Sequence, residues 1–471
     1  MDRKEIVSGW IKCIDPYKTR GHSTMHLTIL FAEVYQDYCK YNRSVNKWVY
    51  YNGKHWESDN GSCNLHICIK EYVELMKNYA FEVSADKGYL SLVGKLTSFY
   101  HRENMTKDAR PHHCFDVKTN QHKHYLNCWN GTLNLKTFVL QPHNPDDMIT
   151  KICRFTMYDP DAKSELWEKF INDIMCGDEE KINYLQKALG YALTGETKFH
   201  TCWVLYGPKT RNGKSTLVET ISHMLGGEDG YALNMNPETL SLRQKDSRSA
   251  SGEIARLDGC RFLNMSEPPK KMIFDIAELK KLTGQDSITA RRMYEAEFEF
   301  KPAFKLFINT NYLPHVNDDT IFTSDRINVI TFDRKFEPHE QDKTLRERLQ
   351  KDTELSGILN WCLEGLKKFY AEGLEPPESV VKATADYREQ SDKLGNFIAD
   401  CLVAETGTNT PASDIYDVYR EWCDECGFGK ENKTNFYSEL KSKNMLSRVK
   451  SGYIVEDYKV DPKRVNANDG L

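Results

Sequence analysis

Ten residues constrain this chain's architecture more than any others: Gly207-Pro208-Lys209-Thr210-Arg211-Asn212-Gly213-Lys214-Ser215-Thr216. The apolar run Cys202-Trp203-Val204-Leu205-Tyr206 stands before them, and apolar residues at helical spacing follow (Leu217, Thr220, Ile221, Met224). Strand, glycine-bounded loop and helix is the context in which backbone amides and a helix N-terminus cradle phosphate. In that reading Lys214 reaches the β- and γ-phosphates of a nucleotide and the Ser215 hydroxyl ligates Mg²⁺, while Gly207, Asn212, Gly213 and Thr216 complete the loop. Five residues, not the usual four, separate Gly207 from Gly213. The loop must therefore bulge by one residue, which leaves the roles of Lys209 and Thr210 open.

A phosphate loop needs an acidic partner on a neighbouring strand to hold Mg²⁺ and polarise the attacking water. The run Arg261-Phe262-Leu263-Asn264-Met265-Ser266-Glu267 supplies one, an apolar strand ending in a carboxylate. Ser266 fills the place where many nucleotide hydrolases carry Asp, so Glu267 would combine general-base and metal duties. A third strand, Phe304–Ile308, runs into Asn309-Thr310-Asn311. An amide at Asn311 can hydrogen-bond the γ-phosphate and orient water; Asn is also favoured as a strand-to-turn cap. Arg326 precedes a fourth strand, Ile327–Phe332, and is a candidate arginine finger reaching a neighbouring subunit's nucleotide.

Strands alternating with helices from residue 202 onward predict a parallel sheet with helical crossovers. Before it, Asn46–Trp56 reads as a hairpin of aromatic strands about Asn52-Gly53, and a second hairpin is expected at Asn130-Gly131. Residues 65–80 carry helical apolar spacing, as do segments with Leu166, Phe170 and Ile174, and with Ile182, Leu185, Leu189 and Leu193. After Pro338 the chain reads helical to about Tyr370, and Pro376-Pro377 marks a break. Two tail helices (about 412–426 and 433–444) precede a hairpin at Ser451-Gly452, a winged-helix-like order.

Composition sets outer bounds. A chain of 471 residues suggests about three domains, and 28% charged with 39% apolar residues fits a globular protein. With 64 Lys+Arg against 69 Asp+Glu the net charge is −5, which excludes a uniformly basic coat but not local basic surfaces. No apolar run approaches the ~18 residues of a membrane helix. Fourteen scattered Cys without a secretory signal read as reduced thiols, so the expected location is the cytoplasm.

Together the motifs resemble those of the superfamily 3 helicases, and more closely the phage and plasmid primase-helicase family related to the poxvirus-type nucleoside triphosphatase. Lys47–Trp56 and Leu126–Leu135 resemble that family's helicase-associated N-terminal region. Arg211–Thr216 resembles its phosphate loop, Met265-Ser266-Glu267 its acidic motif, Leu279–Asp286 through Arg291 an additional motif, and Phe304–Asn311 its sensor strand. The resemblance implies an α/β P-loop NTPase with a modified AAA+ core, flanked by a mixed α+β N-terminal region and a small winged-helix-like C-terminal domain. It implies boundaries at 1–150 (helicase-associated), 151–200 (helical collar), 201–375 (ATPase core) and 376–471 (C-terminal). It further implies a homo-hexameric ring around DNA, ATP and Mg²⁺ as cofactors, and 3′→5′ translocation during replication of a phage or mobile element. A channel hairpin maps to about Ser287–Phe300, where Arg291 and Arg292 can pair with phosphate and Tyr294 can stack on a base.

Relatives often carry paired Arg before the last strand, whereas this chain has Asp325-Arg326, so only Arg326 carries over as a finger. The helicase-associated region begins by about residue 22, which leaves no room for a fused primase domain; primer synthesis is expected from a separate primase or polymerase. Between Lys430 and Arg464 nine Lys/Arg face five Asp/Glu, making Lys433, Lys441, Lys443 and Lys450 candidate DNA contacts in the tail. Cys423-Asp424-Glu425-Cys426 lacks the second ligand pair of a zinc site and reads as helix packing. The run His112-His113-Cys114, His122, His124 and Cys128 is richer in ligands but falls where hairpins are expected. Two other readings share these motifs: an initiator or loader that uses ATP as an assembly switch, and a small-molecule P-loop phosphotransferase.

Overall fold

A computed structural model describes residues 2–20, 22–43, 46–112, 118–227, 230–242, 252–270, 272–291, 297–318, 320–426, 429–450 and 452–461. At its centre lies a parallel sheet of five strands: β7 (Cys202–Tyr206), β8 (Ala232–Met235), β9 (Phe262–Ser266), β12 (Lys305–Thr310) and β13 (Ile327–Thr331), in the order β13-β7-β12-β9-β8. This is a P-loop NTPase-like core. Helices cover both faces, so the strands are mostly apolar, with Asn264 in β9 and Asn328 in β13 as buried polar residues. Side chains alternate accordingly: Trp203, Leu205, Phe307 and Ile330 enter one cluster with the helices Glu165–Ile174, Glu179–Ala192, Lys214–Met224 and Asp352–Glu372. Cys202, Val204, Ile308 and Val329 enter the other, with the helix Ile276–Thr283 and Tyr387 of the helix Glu378–Ser391.

Two buried cations close the amino ends of the central strands. Arg261, which precedes β9, donates to the carbonyls of Leu193, His122 and Tyr125. Lys305, the first residue of β12, donates to the carbonyls of Thr194 and Ala303. Carbonyls just past a helix C-terminus carry partial negative charge, which compensates part of the cost of burying these side chains. Burial still holds the Lys305 ammonium well below its ordinary range.

Upstream, β1 (Cys39–Asn42), β2 (Lys47–Tyr51) and β3 (Trp56–Ser58) form an antiparallel sheet. The β2–β3 turn holds Asn52, whose Oδ1 accepts the amides of Lys54 and His55 at 2.9 Å each, the expected hairpin. β4 (Tyr125–Cys128) and β5 (Gly131–Asn134) pair with Cys128 opposite Gly131, the second expected hairpin, and β6 (Val139–Gln141) adds to β5. Residues between Val7 and Ala109 form their own apolar cluster, whereas Leu126, Cys128 and Leu133 join the cluster under the central sheet.

β10 (Ile288–Arg291) and β11 (Glu297–Phe300) make the hairpin expected at Ser287–Phe300, with Ile288 opposite Phe300 and Arg291 opposite Glu297. Ile288, Ala290, Phe298 and Phe300 face the core, and Thr289, Arg291, Glu297 and Glu299 face outward. In the tail, β14 (Leu402–Pro411) and β15 (Leu446–Val449) flank β16 (Gly452–Val460), and the helices Ala412–Cys426 and Lys433–Ser442 lie between β14 and β15 in sequence. Phe397, Tyr419, Trp422, Cys423 and Phe436 form the tail's apolar cluster. Val449 pairs with Gly452; Ser451 lies outside the described residues.

Candidate nucleotide site

The phosphate loop leaves the carboxyl end of β7, where open α/β sheets place their ligand sites. Gly213 sits at φ +85°, the residue before the helix Lys214–Met224. A Cβ there would lie 2.4 Å from Cγ2 of Ile174, so both backbone sign and space demand glycine. The extra loop residue is absorbed by Asn212. Its Nδ2 donates to the Lys209 carbonyl at 2.7 Å, and its Oδ1 accepts from Lys214 Nζ at 3.1 Å. Gly207 makes room for this clamp, since a Cβ on it would stand 2.1 Å from Asn212 Nδ2. Lys209 and Thr210 are exposed on the bulge.

Lys214 is buried, with 4% of its surface exposed. Its ammonium has three donors, and each has an acceptor: the Gly207 carbonyl at 3.2 Å, Asn212 Oδ1 at 3.1 Å and Asn311 Oδ1 at 2.9 Å. Burial pushes its pKa down to about 8, against the opposing pull of the Glu267 carboxylate. Asn311 arrives here because β12 is the neighbour of β7, with Thr310 opposite Tyr206 and the Gly207 amide donating to the Thr310 carbonyl at 3.2 Å.

Glu267 lies one strand further, beyond β12. It leaves β9 in the left-handed region at φ +54°, its amide bonded to the Asn309 carbonyl at 2.8 Å. Two strand spacings, roughly 10 Å, separate its backbone from β7. Ser215 and Glu267 are both exposed. A hydroxyl and a carboxylate are hard oxygen donors of the kind Mg²⁺ takes, so the residues present fit that ion. Ser266 accepts from Asn264 Nδ2 at 2.7 Å within β9.

Arg326 stands apart from this cluster, at the amino end of β13 and roughly a strand's length (about 16 Å) from the sheet edge that carries the phosphate loop. Its guanidinium donates to the Lys280 carbonyl at 3.3 Å and Thr283 Oγ1 at 3.0 Å, at the end of the helix Ile276–Thr283. Arg291 lies on the outward face of its hairpin; Arg292 and Tyr294 lie outside the described residues. Among the tail candidates, Lys443 pairs with Asp392 at 2.7 Å.

A pocket of about 440 Å³ opens beside the loop. Phe170, Phe336 and Leu345 give it apolar walls, and Thr216, Asp342 and Arg348 give it polar ones. Phe336 is held there by its amide, which donates to the Arg211 carbonyl at 2.9 Å. Apart from Thr216, sequence reasoning missed these residues, because the pocket is assembled from three distant segments and Phe170 carries the same spacing signal as its core neighbours.

His113 and Cys114 lie outside the described residues. In the rest of that run, His122 stacks on Tyr125 at 4.7 Å and His124 faces Glu196 at 3.4 Å. Among the described residues no group of three or more His, Cys, Asp or Glu is arranged to hold a metal, and no helix is long and apolar enough to cross a membrane.

A glycine-shaped loop, a buried lysine and an amide from the adjacent parallel strand define a P-loop NTPase-type site. Two segments of the chain are similar to D5-type families. Residues 29–176 match the family described as D5 N terminal like, and residues 389–468 the one described as Poxvirus D5 protein-like. Between them, residues 205–326 match a family of unknown function. The relatives are viral. "Putative helicase L207/L206" of Acanthamoeba polyphaga mimivirus is 32% identical over 313 residues, 62% of this chain and 32% of that protein. "Putative helicase 022R" of Frog virus 3 (isolate Goorha) is 30% identical over 46% of this chain and 24% of that protein. The matched stretches thus span about a third or less of these longer relatives. Among solved structures, the apo A form of the NrS-1 C terminal region aligns with a TM-score of 0.45 at 11% identity, over 88% of this chain and 94% of that one.

Proposed function

We propose that the chain is an ATP-dependent DNA helicase of superfamily 3 type with a modified AAA+ core, working as a homo-hexameric ring in the replication of a virus or mobile element. The observation that carries this reading is the convergence of Lys214, Asn212 and Asn311 at the carboxyl end of the parallel sheet, with Glu267 two strands away. ATP phosphates take over the Lys214 ammonium from the amide oxygens it now holds, and loop amides bind the remaining phosphate oxygens. The pocket lined by Phe170 and Phe336 receives the base and ribose. Ser215 and Glu267 hold Mg²⁺, which supplies charge neutralisation on the phosphates when bound. Glu267 accepts the proton of the attacking water, and Asn311 orients that water against the γ-phosphate.

Arg326 cannot reach its own subunit's loop across the length of β13. That placement supports a role in trans, where a guanidinium stabilises charge developing on a neighbour's γ-phosphate. The β10–β11 hairpin, with Arg291 on its outward face and Arg292 and Tyr294 beyond, is the DNA-contacting element, and translocation is 3′→5′. The order of tail elements, two helices then the β15–β16 hairpin, supports a winged-helix-like domain after residue 376. Boundaries at residues 150 and 200 divide the remainder into helicase-associated region, collar and core. A separate primase or polymerase is the expected partner.

The test is strand displacement on a forked duplex with ATP, against a non-hydrolysable analogue and against Glu267→Gln. Unwinding should need hydrolysis, and Glu267→Gln should bind ATP yet lose about 10²–10⁴-fold in turnover. Binding to DNA with ATP but no displacement by the wild type would favour the assembly-switch reading instead.

A further inference from the structure

The turns of the two upstream hairpins meet in space. Lys54, which follows the Asn52-Gly53 turn between β2 and β3, donates from Nζ to the carbonyl of Trp129, in the β4–β5 turn, at 2.6 Å. The same ammonium lies 4.1 Å from the centre of a Trp129 ring and covers one face of it. Trp129 is still 41% exposed, through the face that Lys54 leaves open. Its position is fixed from the main chain outward. The Trp129 amide donates to the Thr156 carbonyl at 2.9 Å, and the Asn130 side chain bonds both main-chain groups of Tyr158, each at 2.9 Å.

The segment zipped to this turn adds two more exposed apolar side chains. Thr156 is buried, its hydroxyl donating to the carbonyl of Met224 at 2.7 Å, while Phe155 and Met157 on either side of it are 40% and 48% exposed. The Phe155 ring lies 4.2 Å from that of His223, with 4° between the planes, so it too is backed on one face and open on the other. His223 and Met224 form the last turn of the helix Lys214–Met224. The aromatic surface is therefore fastened to the far end of the helix that begins at the phosphate loop, roughly 16 Å from it at 1.5 Å per residue.

We infer that Trp129 and Phe155 form a stacking platform for unpaired bases of a single DNA strand, separate from the channel hairpin. Size argues for bases over a protein partner. The exposed parts of Trp129, Phe155 and Met157 come to roughly 250 Å², about a third of the ~800 Å² that one side of a protein interface needs. Two rings with one open face each suit about two bases, and every base has a π-face, so the contact is blind to sequence. Rings already held from behind lose little freedom when a base arrives. The inference rests on the reading of the chain as a DNA helicase, but not on ATP hydrolysis.

The test is fluorescence anisotropy of the full chain, without nucleotide, with two labelled probes of equal length: oligo(dT) and a strand of abasic units. Trp129→Ala should lose about tenfold on oligo(dT), the effect of one base stack, and nothing on the abasic strand. Its salt slope should match the wild type, since no charge is removed. Trp129→Phe keeps a ring and should recover most of the affinity. Phe155→Ala should show a loss of the same base-dependent kind. Sedimentation of the same samples reports assembly, and a thermal melt reports folding. Equal oligo(dT) affinity in wild type and both alanine variants, or an equal loss on the abasic strand, overturns the inference. So does a smaller assembly in Trp129→Ala with oligo(dT) affinity kept, which would give this surface to a second copy of the chain. Failure of the wild type to bind either strand overturns the helicase reading itself, and this inference with it.

Discussion

Nζ of Lys214 donates to Oδ1 of Asn311 at 2.9 Å, joining two residues 97 positions apart. The contact exists because β12 is inserted between β7 and β9, so the Asn311 amide lies between Lys214 and Glu267, the residues proposed to take phosphate and to activate water. In the proposed site, an amide bonded to that ammonium before nucleotide arrives is already held beside the place the γ-phosphate would take. Orientation fixed in advance is not paid for again during turnover.

Lys214→Ala should therefore remove ATP hydrolysis by at least about 10²–10³-fold, the cost of deleting one preorganised donor to a charged transition state. Deleting a buried side chain with three polar partners costs some stability, but folding should survive, with Asn212 and Asn311 turning to each other or to water. Phosphate release and a thermal melt on the same preparation check this; DNA-stimulated ATPase retained in the variant sinks the site assignment.

The bulged loop gives a more specific expectation. Asn212 closes the loop on both sides, through the Lys209 carbonyl and the Lys214 ammonium. Asn212→Ala should weaken nucleotide binding about tenfold, because the bulged loop loses the Asn212 Nδ2 bond to the Lys209 carbonyl that holds its shape. Gly207→Ala should do more harm, since the new methyl meets Asn212 Nδ2 at 2.1 Å and forces the clamp open. Calorimetric titration with ADP ranks the two; equal affinity in all three proteins contradicts the clamp.

The depressed pKa of Lys214 predicts a proton linkage. Burial holds the ammonium at about 8, below the ordinary 10.5, and phosphate at the loop favours the charged form and pulls it back up. Between about pH 8 and 10 nucleotide binding should take up a proton, and affinity should fall as pH rises, by up to tenfold per unit. Below about pH 7 this group contributes no uptake. The stability linkage has the opposite sense, since the unfolded chain binds the extra proton in that window and stability without nucleotide rises with pH. Titrations in two buffers of different ionisation enthalpy measure the uptake directly, and Lys214→Ala should abolish it.

Much of this was legible in the sequence, for physical reasons. β7, β9, β12 and β13 are buried on both faces, so apolar residues dominate them despite Asn264 in β9 and Asn328 in β13, and the phosphate loop shows in its glycines. β8 was not seen because Ala232–Met235 is a short strand at the sheet's edge. β14 was not seen because Leu402–Pro411 carries Thr406, Gly407, Thr408 and Asn409, and pairs on one side only, with β16. The helix Glu378–Ser391 buries only Val380 and Tyr387, too few to print a period. The pocket beside the loop and the aromatic platform are each assembled from segments far apart in sequence, and no local pattern encodes them.

Arg261 offers a stability test away from the site. Its guanidinium satisfies the carbonyls of Leu193, His122 and Tyr125 in a buried position. Arg261→Ala leaves those acceptors without a donor and should cost about 3 kcal/mol or more. Chemical denaturation followed by tryptophan fluorescence should show the midpoint shift. Arg261→Lys should recover only part of it, since one ammonium cannot reproduce the planar fork; no shift in either variant would mean that water replaces the guanidinium at no cost.

Arg326 separates a role in trans from a role in its own subunit. Its bonds to the Lys280 carbonyl and Thr283 Oγ1 cap the end of the helix Ile276–Thr283, so Arg326→Ala carries a stability cost of about 1 kcal/mol whatever else it does. The discriminating measurement mixes subunits. Arg326→Ala alone should bind ATP with near wild-type affinity yet hydrolyse it poorly. Lys214→Ala alone should not hydrolyse at all. A mixed ring contains some interfaces where an intact loop on an Arg326→Ala subunit meets an intact arginine on a Lys214→Ala subunit, and those interfaces alone regain both parts. ATPase in the mixture should therefore exceed the weighted sum of the two proteins, peaking near equal proportions. A residue acting only within its own subunit gives no such peak, because each Arg326→Ala subunit keeps its defect whatever its neighbour. Activity that follows the weighted sum at every ratio would confine Arg326 to the helix end it caps.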